Sequence, residues 1–166
     1  MNAGAYGGEI RQVLKNTTVL TPEGEVTTIP ADEMKMGYRT SIVSKMDYVV
    51  LGAELVLREG NKEEIRAKMD QLKDKRVSKQ PLEYGSAGST FKRPEGYFAG
   101  RLIEDAGLRG FRVGNAQVSE KHCGFVINRG GATAGEVVEL METIIRRVAE
   151  NSGVRLEPEV KRIGEF

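Results

Sequence analysis

Tyr84-Gly85-Ser86-Ala87-Gly88-Ser89-Thr90-Phe91-Lys92-Arg93-Pro94 sets four very small residues ahead of two hydroxyls, an aromatic ring, two cations and a proline. Glycine reaches backbone angles closed to other residues and lets a ligand come close to the main chain. Cations within four residues of Ser89 suit a site that handles an anion or a developing negative charge. On spacing alone, the alternative is a Gly/Ser surface loop ahead of a proline turn. The run is neither the phosphate loop Gly-x-x-x-x-Gly-Lys-Ser/Thr nor the dinucleotide fingerprint Gly-x-Gly-x-x-Gly.

Upstream of this run, Gln80-Pro81 marks the expected boundary between two lobes, because proline cannot continue a helix and begins an extended segment. The helix it follows starts after the capping residue Asn61 and runs to about Val77, with Ile65, Met69 and Leu72 on one face and charges elsewhere. Those charges read as a solvated face. Tyr48–Leu57 is rich in Val and Leu and alternates little, which predicts a buried strand. Thr17–Leu20 and Glu25–Ile29 flank Thr21-Pro22-Glu23-Gly24 as a hairpin. Ala31–Met36, between Pro30 and Gly37, predicts a short helix.

Downstream, Phe98–Ala106 has helical spacing and stops at Gly107. Phe111–Val113 and Gln117–Val118 are short extended pieces, and Phe125–Asn128 is a buried strand closed by Gly130-Gly131. Thr133 caps a helix from Ala134 to about Asn151 that turns Val137, Leu140, Met141, Ile144, Ile145 and Val148 inward. Ser152-Gly153 ends it, and Val154–Ile163 predicts a final strand. The class is α+β, with a small sheet covered on one side by helices.

The 166 residues suffice for one good core or two small lobes. A net charge of +1 sets up no overall field toward nucleic acid or a membrane, and no apolar run approaches the ~20 residues of a span. One cysteine, Cys123, cannot form an internal disulfide, and one histidine, His122, gives no metal-ligand cluster. A cytoplasmic location is the simplest expectation, and Cys123 reads as a small buried side chain.

Several stretches, taken together and in order, resemble one family. Met1-Asn2-Ala3-Gly4-Ala5-Tyr6-Gly7, Gly37-Tyr38-Arg39-Thr40-Ser41, the Ser89 run, Gly114-Asn115-Ala116-Gln117-Val118-Ser119 and Leu156-Glu157-Pro158-Glu159-Val160 resemble motifs of the UDP-N-acetylenolpyruvoylglucosamine reductases. These flavoenzymes complete UDP-N-acetylmuramic acid for peptidoglycan. The resemblance spans almost the whole chain. It implies the end of an FAD-binding domain over 1–79, followed by a small α+β substrate-binding lobe over 80–166. It also implies that Met1 is an internal methionine, with a flavin-binding segment preceding it in a longer enzyme.

For the site, the resemblance implies Ser89 as proton donor, Arg39 as a catalytic cation and Glu159 as the functional acid. Periodicity alone leaves Glu157 open, since residues two apart share a strand face. Asn2, Gly4, Tyr6 and Gly7 match the segment that meets the cofactor, with NADPH as reductant. Arg93, Tyr97, Gln117 and His122 are the expected contacts to UDP-N-acetylglucosamine enolpyruvate. Uracil needs amide-type partners and a diphosphate needs cations. One branch of the family has Asn where Arg93 stands and carries an inserted tyrosine flap between the matches to Arg39 and Ser89; this chain resembles the branch without the flap. The competing expectations are a sugar-nucleotide-binding module that does no chemistry, and an unrelated α+β interaction protein.

Overall fold

In the computed structural model, which describes residues 1–164, the chain divides into two units, Met1–Leu72 and Lys73–Phe166. The first opens with a tight hairpin, β1 (Gly4–Ala5) and β2 (Gly8–Glu9), turned by Tyr6 and Gly7 at φ of 52° and 85°. Two consecutive positive φ values give the turn whose twist matches the flanking strands. β3 (Leu14–Leu20) and β4 (Val26–Pro30) then form the expected hairpin, with Gly24 at φ 85° closing its loop. β5 (Val49–Leu55) pairs antiparallel on the far side of β3, giving the order β4-β3-β5. Val19, Ile29 and Met34 are the buried centre of this unit.

Two expectations fail here. Ala31–Met36 is a turn rather than a helix, with Lys35 at φ 46°. So short a segment cannot offset the cost of a helical nucleus. The strand expected to be buried, Tyr48–Leu57, is an exposed edge strand, because no strand among the described residues pairs with β5 beyond β3.

α1 (Lys62–Lys79) begins as predicted, with Asn61 Oδ1 accepting from the N–H groups of Glu63 (2.9 Å) and Glu64 (3.1 Å). It buries no residue, so its apolar stripe is weaker than the spacing of Ile65, Met69 and Leu72 suggests.

The second unit is built on the sheet β6 (Arg112–Val113), β7 (Ala116–Val118) and β8 (Val126–Asn128), antiparallel throughout. α3 (Ala134–Ser152) packs on β6 and β7 with Leu140, Met141, Ile144 and Val148 buried, and α2 (Ala99–Asp105) packs on α3. A full capping box joins Thr133 and Glu136 at the start of α3, and Gly153 in the left-handed region ends it. The expected final strand over 154–163 is extended but irregular. Only Phe91 and Pro158 form a bridge, since proline has no N–H to offer a ladder.

Candidate functional site

The serine run lies beside β8 as a broken strand. Gly85 pairs with Asn128 and Ser89 with Phe125, while Gly88, at φ 89°, interrupts the ladder between them. No heavy atom lies within 4 Å of a Cβ built on Gly88, so the backbone conformation and not space demands glycine there. The Ser86 hydroxyl donates to the Val126 carbonyl (2.8 Å) and accepts from the Gly88 N–H (3.2 Å), which pins the turn.

Thr90 holds the next step. It is buried, its Oγ1 accepts from Val126 N (3.0 Å), and its own N–H donates to the Gly124 carbonyl (2.9 Å). Strand alternation then turns the neighbouring Ser89 outward, where it is exposed. On the other side, Glu159 N donates to the Thr90 carbonyl (2.9 Å) and Lys92 N to the Glu157 carbonyl (2.8 Å). The backbone of Glu159 therefore adjoins that of Thr90, the residue that follows Ser89. Glu157 is more exposed than Glu159 and its carboxylate pairs with the Lys92 ammonium.

Behind this ladder lies a largely apolar cavity of about 390 Å³, lined among others by Ser86, Thr90, Val126, Met141 and Val160. Thr90 was not singled out by the sequence. Its position beside Ser89 is the only signal that could have found it.

The expected substrate contacts divide. Arg93 Nε donates to the Tyr97 carbonyl (3.2 Å), and its guanidinium stacks 4.0 Å from the centre of the Phe98 ring. Arg93 and Tyr97 thus share an exposed loop next to the serine run. Gln117 is buried: Nε2 donates to the Gly110 carbonyl (3.0 Å) and Oε1 accepts from Arg112 Nη2 (3.4 Å), so both ends of its amide hold β7 in place.

His122 is half-buried, accepts from Gly124 N at Nδ1 (3.1 Å) and packs edge-on against Phe125. Burial pushes its pKa down, and Lys79 adds to this, against an upward pull from its own backbone hydrogen bond. Burial likewise pushes the Cys123 thiol up.

In the first unit, Asn2 is buried within the N-terminal hairpin, Nδ2 donating to Glu9 (2.9 Å) and Oδ1 accepting from Arg11 N (3.0 Å). A Cβ on Gly4 would stand 2.9 Å from Glu9 Cγ, so glycine lets the two strands close. Tyr6, at the tip, is exposed, and nothing lies within 4 Å of a Cβ built on Gly7. Arg39 sits at φ 55° in the Gly37–Thr40 turn, its guanidinium 5.1 Å from the Tyr38 ring centre. Of the four non-glycine residues at positive φ among the described residues (Tyr6, Lys35, Arg39 and Asp47), two are expected site residues. Such conformations are held against a cost of about 1–3 kcal/mol and cluster at functional sites. Among the described residues, no group of three or more His, Cys, Asp or Glu is placed to hold a metal, and no helix is long and apolar enough to cross a membrane.

Residues 80–163 match the family described as the UDP-N-acetylenolpyruvoylglucosamine reductase C-terminal domain. The chain belongs to the UDP-N-acetylenolpyruvoylglucosamine reductase family. Among curated proteins of that name, it is 60% identical over its full length to the one from Agathobacter rectalis and covers 53% of it. It is 58% identical over 165 residues to the one from Lachnoclostridium phytofermentans, again covering 53% of that protein. A crystal structure of UDP-N-acetylenolpyruvylglucosamine reductase from Thermus caldophilus aligns with a TM-score of 0.81 at 39% identity, over 96% of this chain and 57% of that one. The chain thus spans about half the length of the curated reductases it matches. The small α+β architecture of the second unit is that of the family's C-terminal domain.

Proposed function

We propose that this chain supplies the substrate lobe and the proton-handling residues for reduction of UDP-N-acetylglucosamine enolpyruvate to UDP-N-acetylmuramate. That places it in cytoplasmic synthesis of peptidoglycan precursors, and hence in cell-wall growth and division. The observation that carries the reading is the hydrogen bond of 2.9 Å from Glu159 N to Thr90 O, which joins the backbone of Glu159 to that of Thr90, next to the exposed Ser89, within a matched family domain.

The tip of the N-terminal hairpin suits FAD: an exposed Tyr6 ring and an open main chain at Gly7 can meet a planar, phosphate-bearing group, while Asn2 and Gly4 keep the tip in shape. Bound FAD, reloaded by NADPH, supplies the hydride. The chain's own residues handle the charge and the proton. Arg39 offers a planar fork to the enolate-type charge that develops alpha to the carboxylate, and Glu159, when protonated, donates a hydrogen bond to it. Ser89 then gives its proton to the alpha carbon and recovers one from solvent. Arg93, Tyr97 and His122 contact the nucleotide, with Gln117 fixing β7 behind them. The 166 residues alone neither hold FAD nor turn over; the 53% coverage of relatives and the match to a C-terminal domain support that reading.

The test uses a polypeptide of the relatives' length containing this chain. Ser89→Ala is expected to slow product formation by about 10²–10⁴-fold or more while flavin reduction by NADPH stays near normal. Stopped-flow flavin absorbance separates the two half-reactions. Equal slowing of both would assign Ser89 to holding the flavin. In the same assay Glu159→Gln should cost about 10²-fold and Glu157→Gln less than about threefold. Tight nucleotide binding by the unaltered protein with no turnover would instead favour a binding module.

A further inference from the structure

The cavity behind the serine ladder lies within the second unit and has no part in the chemistry proposed above. Its volume, about 390 Å³, is in the range at which clefts take up small molecules. Val126, Ile127, Val137, Val138, Met141 and Val160 give it apolar walls. The charged side chains that line it are both cations, Lys161 and Arg162; no carboxylate does. Arg162 reaches Glu142 on α3 (3.4 Å), whereas Lys161 is exposed and has no ion-pair partner among the described residues.

We propose that this cavity binds a small amphipathic anion, an unbranched hydrocarbon chain ending in a carboxylate. The walls favour the hydrocarbon because it leaves water there, and the unmatched ammonium favours one negative charge. A sugar or a diphosphate fits less well, since most of its oxygens would lose water against a wall that offers few donors. A cation would meet two like charges. The site also touches the ladder. Thr90 and Val160 line it, while their neighbours Ser89 and Glu159 do not, as alternation along an extended chain gives. Thr90 Oγ1 accepts from Val126 N (3.0 Å) and the Thr90 carbonyl accepts from Glu159 N (2.9 Å), so a ligand against Thr90 is felt at both amides. Binding here needs neither flavin nor turnover, and it stands or falls apart from the catalytic reading.

The experiment titrates decanoate, below its micellar concentration, into the 166-residue chain by calorimetry. The expected result is saturation at one site per chain with a negative heat-capacity change, the mark of buried apolar surface. Octanoate should bind more weakly, by about fourfold for each methylene removed. Decanol should bind about threefold more weakly than decanoate, and decyltrimethylammonium more weakly still. Amide spectra should shift at Val126 and Glu159 on addition of decanoate. Lys161→Glu should weaken decanoate about tenfold and leave decanol unchanged. Ala134→Trp, at an exposed lining position on α3, should fill the cavity and abolish binding of both; should that variant not fold, Lys161→Glu decides. No saturable binding overturns the proposal, as does equal affinity for decanoate and decanol, or a decanoate affinity that Lys161→Glu does not change. Decanoate bound by this chain but not by a polypeptide of the relatives' length containing it overturns the proposal too, and assigns the cavity to the rest of that polypeptide. Co-sedimentation with vesicles of equal parts phosphatidylglycerol and phosphatidylcholine, without decanoate binding, overturns it in favour of a lipid surface.

Discussion

The two units hold similar kinds of residues and bury them to different degrees. In the second, the apolar stripe of α3 lies against β6 and β7, and Leu140, Met141, Ile144 and Val148 join Ile103, Leu108 and Val118 in one continuous core. In the first, the buried centre is Val19, Ile29 and Met34, and the most aliphatic strand in the chain faces water. The helices repeat the contrast: α3 buries a full stripe, while α1, which carries the chain from one unit into the other, buries none. Aliphatic content does not make a core. A strand or helix is buried only where a second layer meets its apolar face.

The sharpest way to break this contrast is to remove the same methylenes from both units. Leu140→Ala, at a fully buried position, is expected to cost about 2–5 kcal/mol in chemical denaturation, from lost burial and the cavity left behind. Leu51→Ala on β5 should stay within about 0.5 kcal/mol, as at an exposed site. Equal costs would mean that β5 is covered in solution by the chain itself.

A smaller effect separates the helix caps. Thr133→Ala loses the side-chain acceptor for Glu136 N and should lower stability by about 1 kcal/mol, because α3 is part of the core. Asn61→Ala removes the acceptor for Glu63 and Glu64 N, on a helix that buries nothing. It should speed amide exchange at those two residues without moving the global midpoint. A global loss as large as that of Thr133→Ala would show that α1 is more tightly integrated than its exposure indicates.

The smallest effect is a pH dependence confined to the second unit. Burial holds His122 below its ordinary value of 6.5, so the folded state favours the neutral ring and the unfolded chain takes up the proton first. The stability is therefore complete above about pH 6.5 and declines as pH falls through that value toward the folded pKa. Denaturation midpoints measured from about pH 8 to 5 should show the decline, and His122→Gln should flatten it. A decline unchanged in the variant would assign it to other groups.

Much of this could be read from local chemistry. Asn61 and Thr133 announce their helices because a capping side chain acts on N–H groups two or three residues away. Gly24, Gly107 and Gly153 announce their turns because only glycine adopts those angles freely. Ser89, Arg39 and Glu159 stood out through their motifs, and their roles remain proposals.

What the tertiary structure decided is of another kind. Gln117 looks like a ligand contact in sequence, yet its amide is engaged by Gly110 and Arg112. Thr90 looks like a neighbour of the serine, yet it links the ladder to both Val126 and Glu159. The helical geometry expected at Ala31–Met36 and the regular strand expected at Val154–Ile163 gave way to a turn and a bridged extension. The aliphatic run of β5 signals which faces can be buried, a property of its own side chains. Whether they are buried depends on what packs against them, and that is set by residues distant in sequence or outside the chain.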